Sequence, residues 1–169
     1  YFLTLLISIY AALGSFLIFN WHPSKMYMGD NGSQFLGAVL AIFSIIFIWN
    51  QNIQVTEWPA VYKLVTIVLV FTMPLSDTCT VSINRILKGK SPFVGGKDHT
   101  THHLSYAGLT DRQVALVFIA GSIISVALAF ILITFYPDAE IKTLLLFMIW
   151  PVLMFSSLYA LTRIVKPNK

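Results

Sequence analysis

Five apolar runs, each long enough or nearly long enough to cross a bilayer, constrain this chain more than any other feature. They lie at 2–19, 34–49, 60–75, 113–136 and 142–165. A spanning helix needs about 20 mostly apolar residues, because each residue adds only about 1.5 Å towards about 30 Å of hydrocarbon. The second run is short but extends through Asn52. The third is also short and carries Lys63 near its start, where a long stem lets the ammonium reach the interface. In hydrocarbon the backbone finds no water to bond, so each run must close its own hydrogen bonds as a helix. The expectation is an all-α, polytopic membrane bundle of about five transmembrane helices.

Composition agrees. The chain is 57% hydrophobic and 11% charged, against about 25% charged residues in soluble domains. Trp21, Trp49 and Trp58 sit at the edges of apolar runs, where amphipathic rings favour the membrane interface. The lone cysteine, Cys79, excludes an internal disulfide framework. The first run has no basic stretch before it and no small-residue cleavage site after it, so it does not read as a signal peptide. Gly37, Gly121, Ser122 and Ser125 are small residues suited to close helix packing. Pro151 is expected to kink the last run unless neighbouring groups satisfy the carbonyl it frees.

The cations set an orientation. Lys25 follows the first run, Arg85, Lys88, Lys90, Lys97 and Arg112 follow the third, and Arg163, Lys166 and Lys169 end the chain. Those nine lie on one side, against Lys63 and Lys142 on the other. The positive-inside rule makes the nine cytoplasmic. The expected arrangement is a single membrane domain over 1–169 with cytoplasmic loops at about 20–33 and 76–112.

Those two loops carry the polar chemistry, and two crossings between them return the chain to the same face. In the first, Gly29-Asp30-Asn31-Gly32-Ser33, the glycines permit a tight turn with positive φ, and Ser33 or Asn31 could cap a helix starting near Gln34. Backbone N–H groups at such a helix start suit a phosphate, and Asp30 offers a hard oxygen ligand of the kind Mg²⁺ takes. An Asx-type turn that merely begins a helix is the plainer reading.

The second loop opens with Pro74-Leu75-Ser76-Asp77-Thr78, expected to close the third helix. Residues 81–88 follow as a short amphipathic helix on the membrane surface, ended by Gly89. Past the Gly95-Gly96 turn, His99, His102 and His103 stand at i, i+3 and i+4, one face if the segment is helical. Three readings compete there: a zinc site lacking an obvious further ligand, a solvated loop, and a phosphate-binding and acid–base site. His22 lies in an aromatic interfacial stretch and reads as structural.

The ordered set resembles the polyprenyl-phosphate N-acetylhexosamine-1-phosphate transferases. It comprises Lys25 to Ser33 with Phe35-Leu36-Gly37, then Pro74, Asp77-Thr78, Arg85, Lys90-Ser91-Pro92-Phe93, Asp98-His99, His102-His103, Gly108-Leu109-Thr110 and Arg112-Gln113. The resemblance implies transfer of a HexNAc-1-phosphate, GlcNAc-1-phosphate by the form of the histidine loop, from a UDP-sugar to undecaprenyl phosphate with release of UMP. It implies the first membrane step of cell-envelope polysaccharide synthesis, at the cytoplasmic face of a bacterial inner membrane. The cofactor implied is Mg²⁺, with Mn²⁺ as an alternative. The implied partners are undecaprenyl phosphate, a UDP-N-acetylhexosamine and the lipid bilayer, not nucleic acid, with a homodimer left open.

By the same resemblance Asp30 binds the metal, and Asp30, His99, His102 and His103 form the catalytic set. Gly29, Asn31, Gly32, Ser33, Arg85, Lys97 and Asp98 are substrate-binding candidates. The sequence departs from the family at Asn31, where a smaller residue is usual, and in the spacing Asp-His-Thr-Thr-His-His. The family's adjacent acidic pair does not occur here, and the chain reads as the C-terminal half of a longer transferase. The rival readings are a polytopic protein that binds or transports lipid phosphates without chemistry, and an inactive remnant serving as a membrane partner.

Overall fold

The computed structural model describes residues 1–21, 23–26, 28–52, 57–93 and 98–165. Among them the chain is all helix: α1 (Phe2–Asn20), α2 (Gly29–Ser44) running on into a π-helical turn (Ile45–Trp49), α3 (Pro59–Val70), α4 (Thr72–Leu87), α5 (Thr100–Tyr106), α6 (Asp111–Phe135) and α7 (Ile141–Ile164). Among the described residues four spans are long and apolar enough to cross a membrane, and α3 with α4 counts as a fifth if the bent pair is one span. Two compact units divide the chain, Tyr1–Ile42 and Phe43–Lys169.

In the first unit α1 is apolar on all sides and buries no residue, the pattern of a helix facing lipid. Its end is organised by Asn20. The Asn20 carboxamide oxygen accepts from the Lys25 and Met26 N–H groups at 3.1 and 2.9 Å and from the Ser24 hydroxyl at 3.2 Å. One side chain thus folds the chain back before α2 begins.

The second unit is built on α3, α6 and α7. Tyr62, Val65 and Leu69 of α3 pack with Ala129 and Leu132 of α6, and with Ala139 and Leu144 around the start of α7. Lipid is as apolar as these side chains, so close packing and buried hydrogen bonds hold the helices rather than a hydrophobic drive. The Tyr62 hydroxyl donates to the Leu132 carbonyl at 3.0 Å, and the Trp150 indole donates to Ser125 Oγ at 2.8 Å. α7 continues through its buried Pro151 as one 24-residue helix.

The third apolar run is where expectation and structure part. α3 stops at Val70, and α4 restarts at Thr72 after an 83° bend. Pro74 explains this. It has no N–H for the Val70 carbonyl and its ring would collide with that carbonyl in a continuous helix. Restarting at Thr72 puts Pro74 in the first turn of α4, where an N–H would lack a partner anyway. The Thr72 hydroxyl donates to the Val68 and Leu69 carbonyls, both at 2.9 Å, and satisfies the end of α3.

The surface helix expected at 81–88 is therefore the second half of α4, and 76–87 is not a loop. Its buried side is largely polar. Thr72, Ser76, Thr80, Asn84 and Arg85 are buried, while Ile83, Ile86 and Leu87 are exposed. Asn84 Nδ2 donates to Thr162 Oγ1 of α7 at 2.8 Å. Gly89 does end the helix: with φ +66 it lets the Lys90 and Gly89 N–H groups bond the Arg85 and Ile86 carbonyls.

Candidate active site

The first polar segment lies in the first unit. It is not a turn before a helix but the first turn of α2 itself, since α2 starts at Gly29. Only Gly29 takes positive φ, at +67. Gly32 is helical and is needed for space, because a Cβ there would lie 2.6 Å from Cγ of Met28. Ser33 does not cap: its hydroxyl donates back to the Asp30 carbonyl at 3.1 Å. Asp30 and Asn31 are exposed in this turn, where the dipole and unpaired N–H groups favour negative charge.

The second segment is organised at the cationic end of the second unit, and the residue that organises it is Asp77. From the second turn of α4 its Oδ1 accepts from Thr100 N at 2.8 Å and from Thr100 Oγ1 at 2.6 Å. Its Oδ2 pairs with His99 Nδ1 at 2.8 Å. No side chain caps α5 locally, so a carboxylate reached from another helix does that work. This fixes the start of α5 at Thr100 and leaves His99 outside the helix with extended backbone, φ −65 and ψ 151.

The three histidines accordingly do not share one helical face. His99 turns to Asp77. His103 Nδ1 meets the Val165 carbonyl at 2.8 Å, at the C-terminal cap of α7. His102 stacks on Tyr106, with centroids 6.4 Å apart, and lines a cleft of about 480 Å³ with Thr101, Ser105, Asp111 and Phe118. Both Asp77 Oδ2 and the Val165 carbonyl can only accept, so His99 and His103 donate from Nδ1. In the neutral ring the lone pair of each is then on Nε2.

Arg85 and Asp98, expected as substrate contacts, are brought together with each other. Arg85 Nε and Nη2 donate to Asp98 Oδ2 and Oδ1 at 2.6 and 2.5 Å, and Nη1 donates to the Pro92 carbonyl at 2.9 Å. Arg85 is buried, and its guanidinium ties both Pro92 and Asp98 to α4, the carboxylate by a bidentate fork. Hydrogen bonding to Arg85 holds the Asp98 carboxyl below the usual carboxylate range. Lys97, Gly95, Gly96 and His22 lie outside the described residues.

Among the described residues no group of three or more His, Cys, Asp or Glu side chains is gathered to hold a metal ion. The oxygens of Asp77 and Asp98 are engaged by protein donors. Asp30, exposed at a helix start, fits Mg²⁺ only as one oxygen ligand, which is how that ion is commonly held beside substrate phosphates.

Asp77 is the residue that the sequence reading did not include in the site. Its signal was an acidic residue three positions after Pro74, but its partners lie 22 and 23 positions further on.

Residues 1–48 match the model of glycosyl transferase family 4. The chain is 30% identical over 126 residues to the probable undecaprenyl-phosphate N-acetylglucosaminyl 1-phosphate transferase of Bacillus subtilis, an alignment covering 74% of this chain and 33% of the relative. It is 32% identical over 139 residues to the undecaprenyl-phosphate alpha-N-acetylglucosaminyl 1-phosphate transferase of Pasteurella multocida, covering 82% and 36%. The Escherichia coli K12 protein of the same description is 31% identical over 102 residues, covering 60% and 26%. The chain thus spans about a third or less of the length of these curated relatives. No solved structure matches.

Proposed function

Because the chain belongs to glycosyl transferase family 4, we propose that the protein moves GlcNAc-1-phosphate, or a related HexNAc-1-phosphate, from a UDP-sugar to undecaprenyl phosphate. UMP is released, at the cytoplasmic face of a bacterial inner membrane. The relatives' names support the acceptor and the sugar. The observation that carries the reading is the buttressed histidine segment at the basic end of the second unit. Arg85, Lys88, Lys90, Arg112 and Arg163 lie at the ends of α4, α6 and α7 that adjoin α5, whereas Lys63 and Lys142 lie at the opposite end. That distribution supports a cytoplasmic site under the positive-inside rule.

In the reaction an oxygen of the lipid phosphate attacks the sugar-linked phosphorus, and the bond from that phosphorus to the UMP oxygen breaks. The protein's work is positioning and charge neutralisation. Mg²⁺, when bound, neutralises the donor diphosphate and the departing UMP. Asp30 contributes one oxygen to it, while Gly29, Asn31, Gly32 and Ser33 offer the N-terminal turn of α2 to phosphate. His99 and His103 face substrate with Nε2, an acceptor in the neutral ring that donates to a phosphoryl oxygen once it has taken a proton. The Arg85–Asp98 clasp ties the start of the histidine segment to α4.

The test is Mg²⁺-dependent UMP release by the full-length protein in membranes supplied with undecaprenyl phosphate and UDP-GlcNAc. Release should require the lipid and should fall about a hundredfold or more in Asp30→Asn, the scale of losing several kcal/mol of charge stabilisation. No release with any UDP-HexNAc from folded protein would leave lipid-phosphate binding without chemistry as the better reading. Near-normal release from Asp30→Asn would take Asp30 out of the mechanism.

A further inference from the structure

Asp77 serves two partners at once, and the two services can be separated chemically. One oxygen caps α5 through both donors of Thr100. The other takes the Nδ1 proton of His99, whose side chain is 48% exposed while that of Asp77 is 17% exposed. A cap alone would need only one oxygen. The second contact selects between two forms of the imidazole, since a carboxylate oxygen can only accept. His99 is thereby held as the Nδ1–H form, with its acceptor atom at Nε2 on a solvent-accessible ring.

We propose that Asp77 is a positioning residue for His99. It fixes the tautomer and angle of the ring and so determines whether Nε2 meets the substrate as an acceptor or as a donor. The proposal rests on the transferase reading given above. Asp77 does not itself touch the reacting atoms.

Asp77→Asn separates the two roles. The amide oxygen can still accept from Thr100 N and Oγ1, so the start of α5 is kept. The amide nitrogen, however, presents N–H to His99 Nδ1. The neutral ring must then accept at Nδ1 and carry its proton on Nε2, the wrong form for a site built on the other. Inverting a tautomer this way leaves geometry nearly intact while function falls steeply, and by analogy losing the partner that orients a metal-ligating histidine commonly costs about 10- to 100-fold.

The experiment uses the full-length protein in detergent or membranes, as wild type, Asp77→Asn, His99→Ala and the double variant. Ring ¹⁵N shifts of His99, assigned by their loss in His99→Ala and read with the imidazole deprotonated, should report Nδ1–H in wild type and Nε2–H in Asp77→Asn. UMP release should fall about 10- to 100-fold in Asp77→Asn, and the same change in the His99→Ala background should cost less than about twofold. A wild-type ring protonated on Nε2 would overturn the proposal. So would an Asp77→Asn loss of equal size with and without His99, which would mark Asp77 as a structural cap only. If wild type releases no UMP, the transferase reading falls with it, and the ring shifts still decide whether Asp77 sets the tautomer.

Discussion

Replacing Thr100 with valine tests whether Asp77 really holds the start of α5. The two side chains are nearly isosteric, and Thr100 is fully buried, so the substitution removes little except the hydroxyl donor. That hydroxyl lies 2.6 Å from Asp77 Oδ1, and hydrogen bonds to a charged acceptor contribute about 1.5–3 kcal/mol. The lower end applies here, because Asp77 keeps the Thr100 N–H and His99 Nδ1, each at 2.8 Å, and is accessible enough to gain a water. A loss of about 1.5 kcal/mol is a roughly tenfold rise in local opening. Hydrogen exchange of the α5 amides in detergent-solubilised protein should therefore quicken about tenfold in Thr100→Val, with α6 and α7 unchanged. Thr101→Val, one position along and facing the cleft of His102, should leave exchange within about twofold. Equal exchange in Thr100→Val and wild type would refute the cap, and so would an equal effect from Thr101→Val.

Two further expectations concern the clasp and the helix packing. Arg85 depresses the folded-state pKa of Asp98, so the stabilisation is present above the ordinary carboxylate pKa and is lost as pH falls through the depressed folded value. Exchange at residues 90–93, corrected for intrinsic rates, should stay slow through neutral and mildly acidic pH and rise only below the usual carboxylate range. Asp98→Asn should remove that acid step by opening the segment at neutral pH. At the α4–α6 crossing, a Cβ on Gly121 would lie 2.6 Å from Sδ of Met73, which is 1% exposed and would have to shift within a packed interior. Gly121→Ala should destabilise the unit by about 1–3 kcal/mol, the usual range for overpacking, as read by thermal unfolding. Met73→Val added to it should recover part of that loss.

The fold was legible wherever the physics is local. α1, α6 and α7 follow the apolar runs closely, because hydrocarbon leaves the backbone no alternative to a helix. Gly89 ended its helix as expected, since positive φ there is a local need. The third run misled because hydrophobicity alone cannot register a break. Pro74 carried that signal, and the rule against a proline four residues after a helical carbonyl would have placed the bend near Phe71.

The site was legible as a set of residues but not as contacts. His99, His102 and His103 share a face only if the helix includes His99, and a carboxylate 22 residues earlier decides that it does not. Arg85 and Asp98 each read as a charge offered to substrate, and nothing in their spacing announced that they meet. Partners brought together by folding leave no pattern in the local sequence.

The buried polar stripe of α4 bears on how the chain is made. α3 has 12 residues, about 18 Å of helix, and is too short to cross the hydrocarbon unaided. The polar stripe that continues it cannot settle until its partners have been synthesised. Asp98 emerges 13 residues after Arg85, but Thr162 follows Asn84 by 78 residues. At about 5–20 residues per second, α4 waits about 4–16 s for α7. During that interval Arg85 can already meet Asp98, while Asn84 lacks its partner on α7. α4 is thus a late-maturing segment, finished from the C-terminal end of the chain backwards.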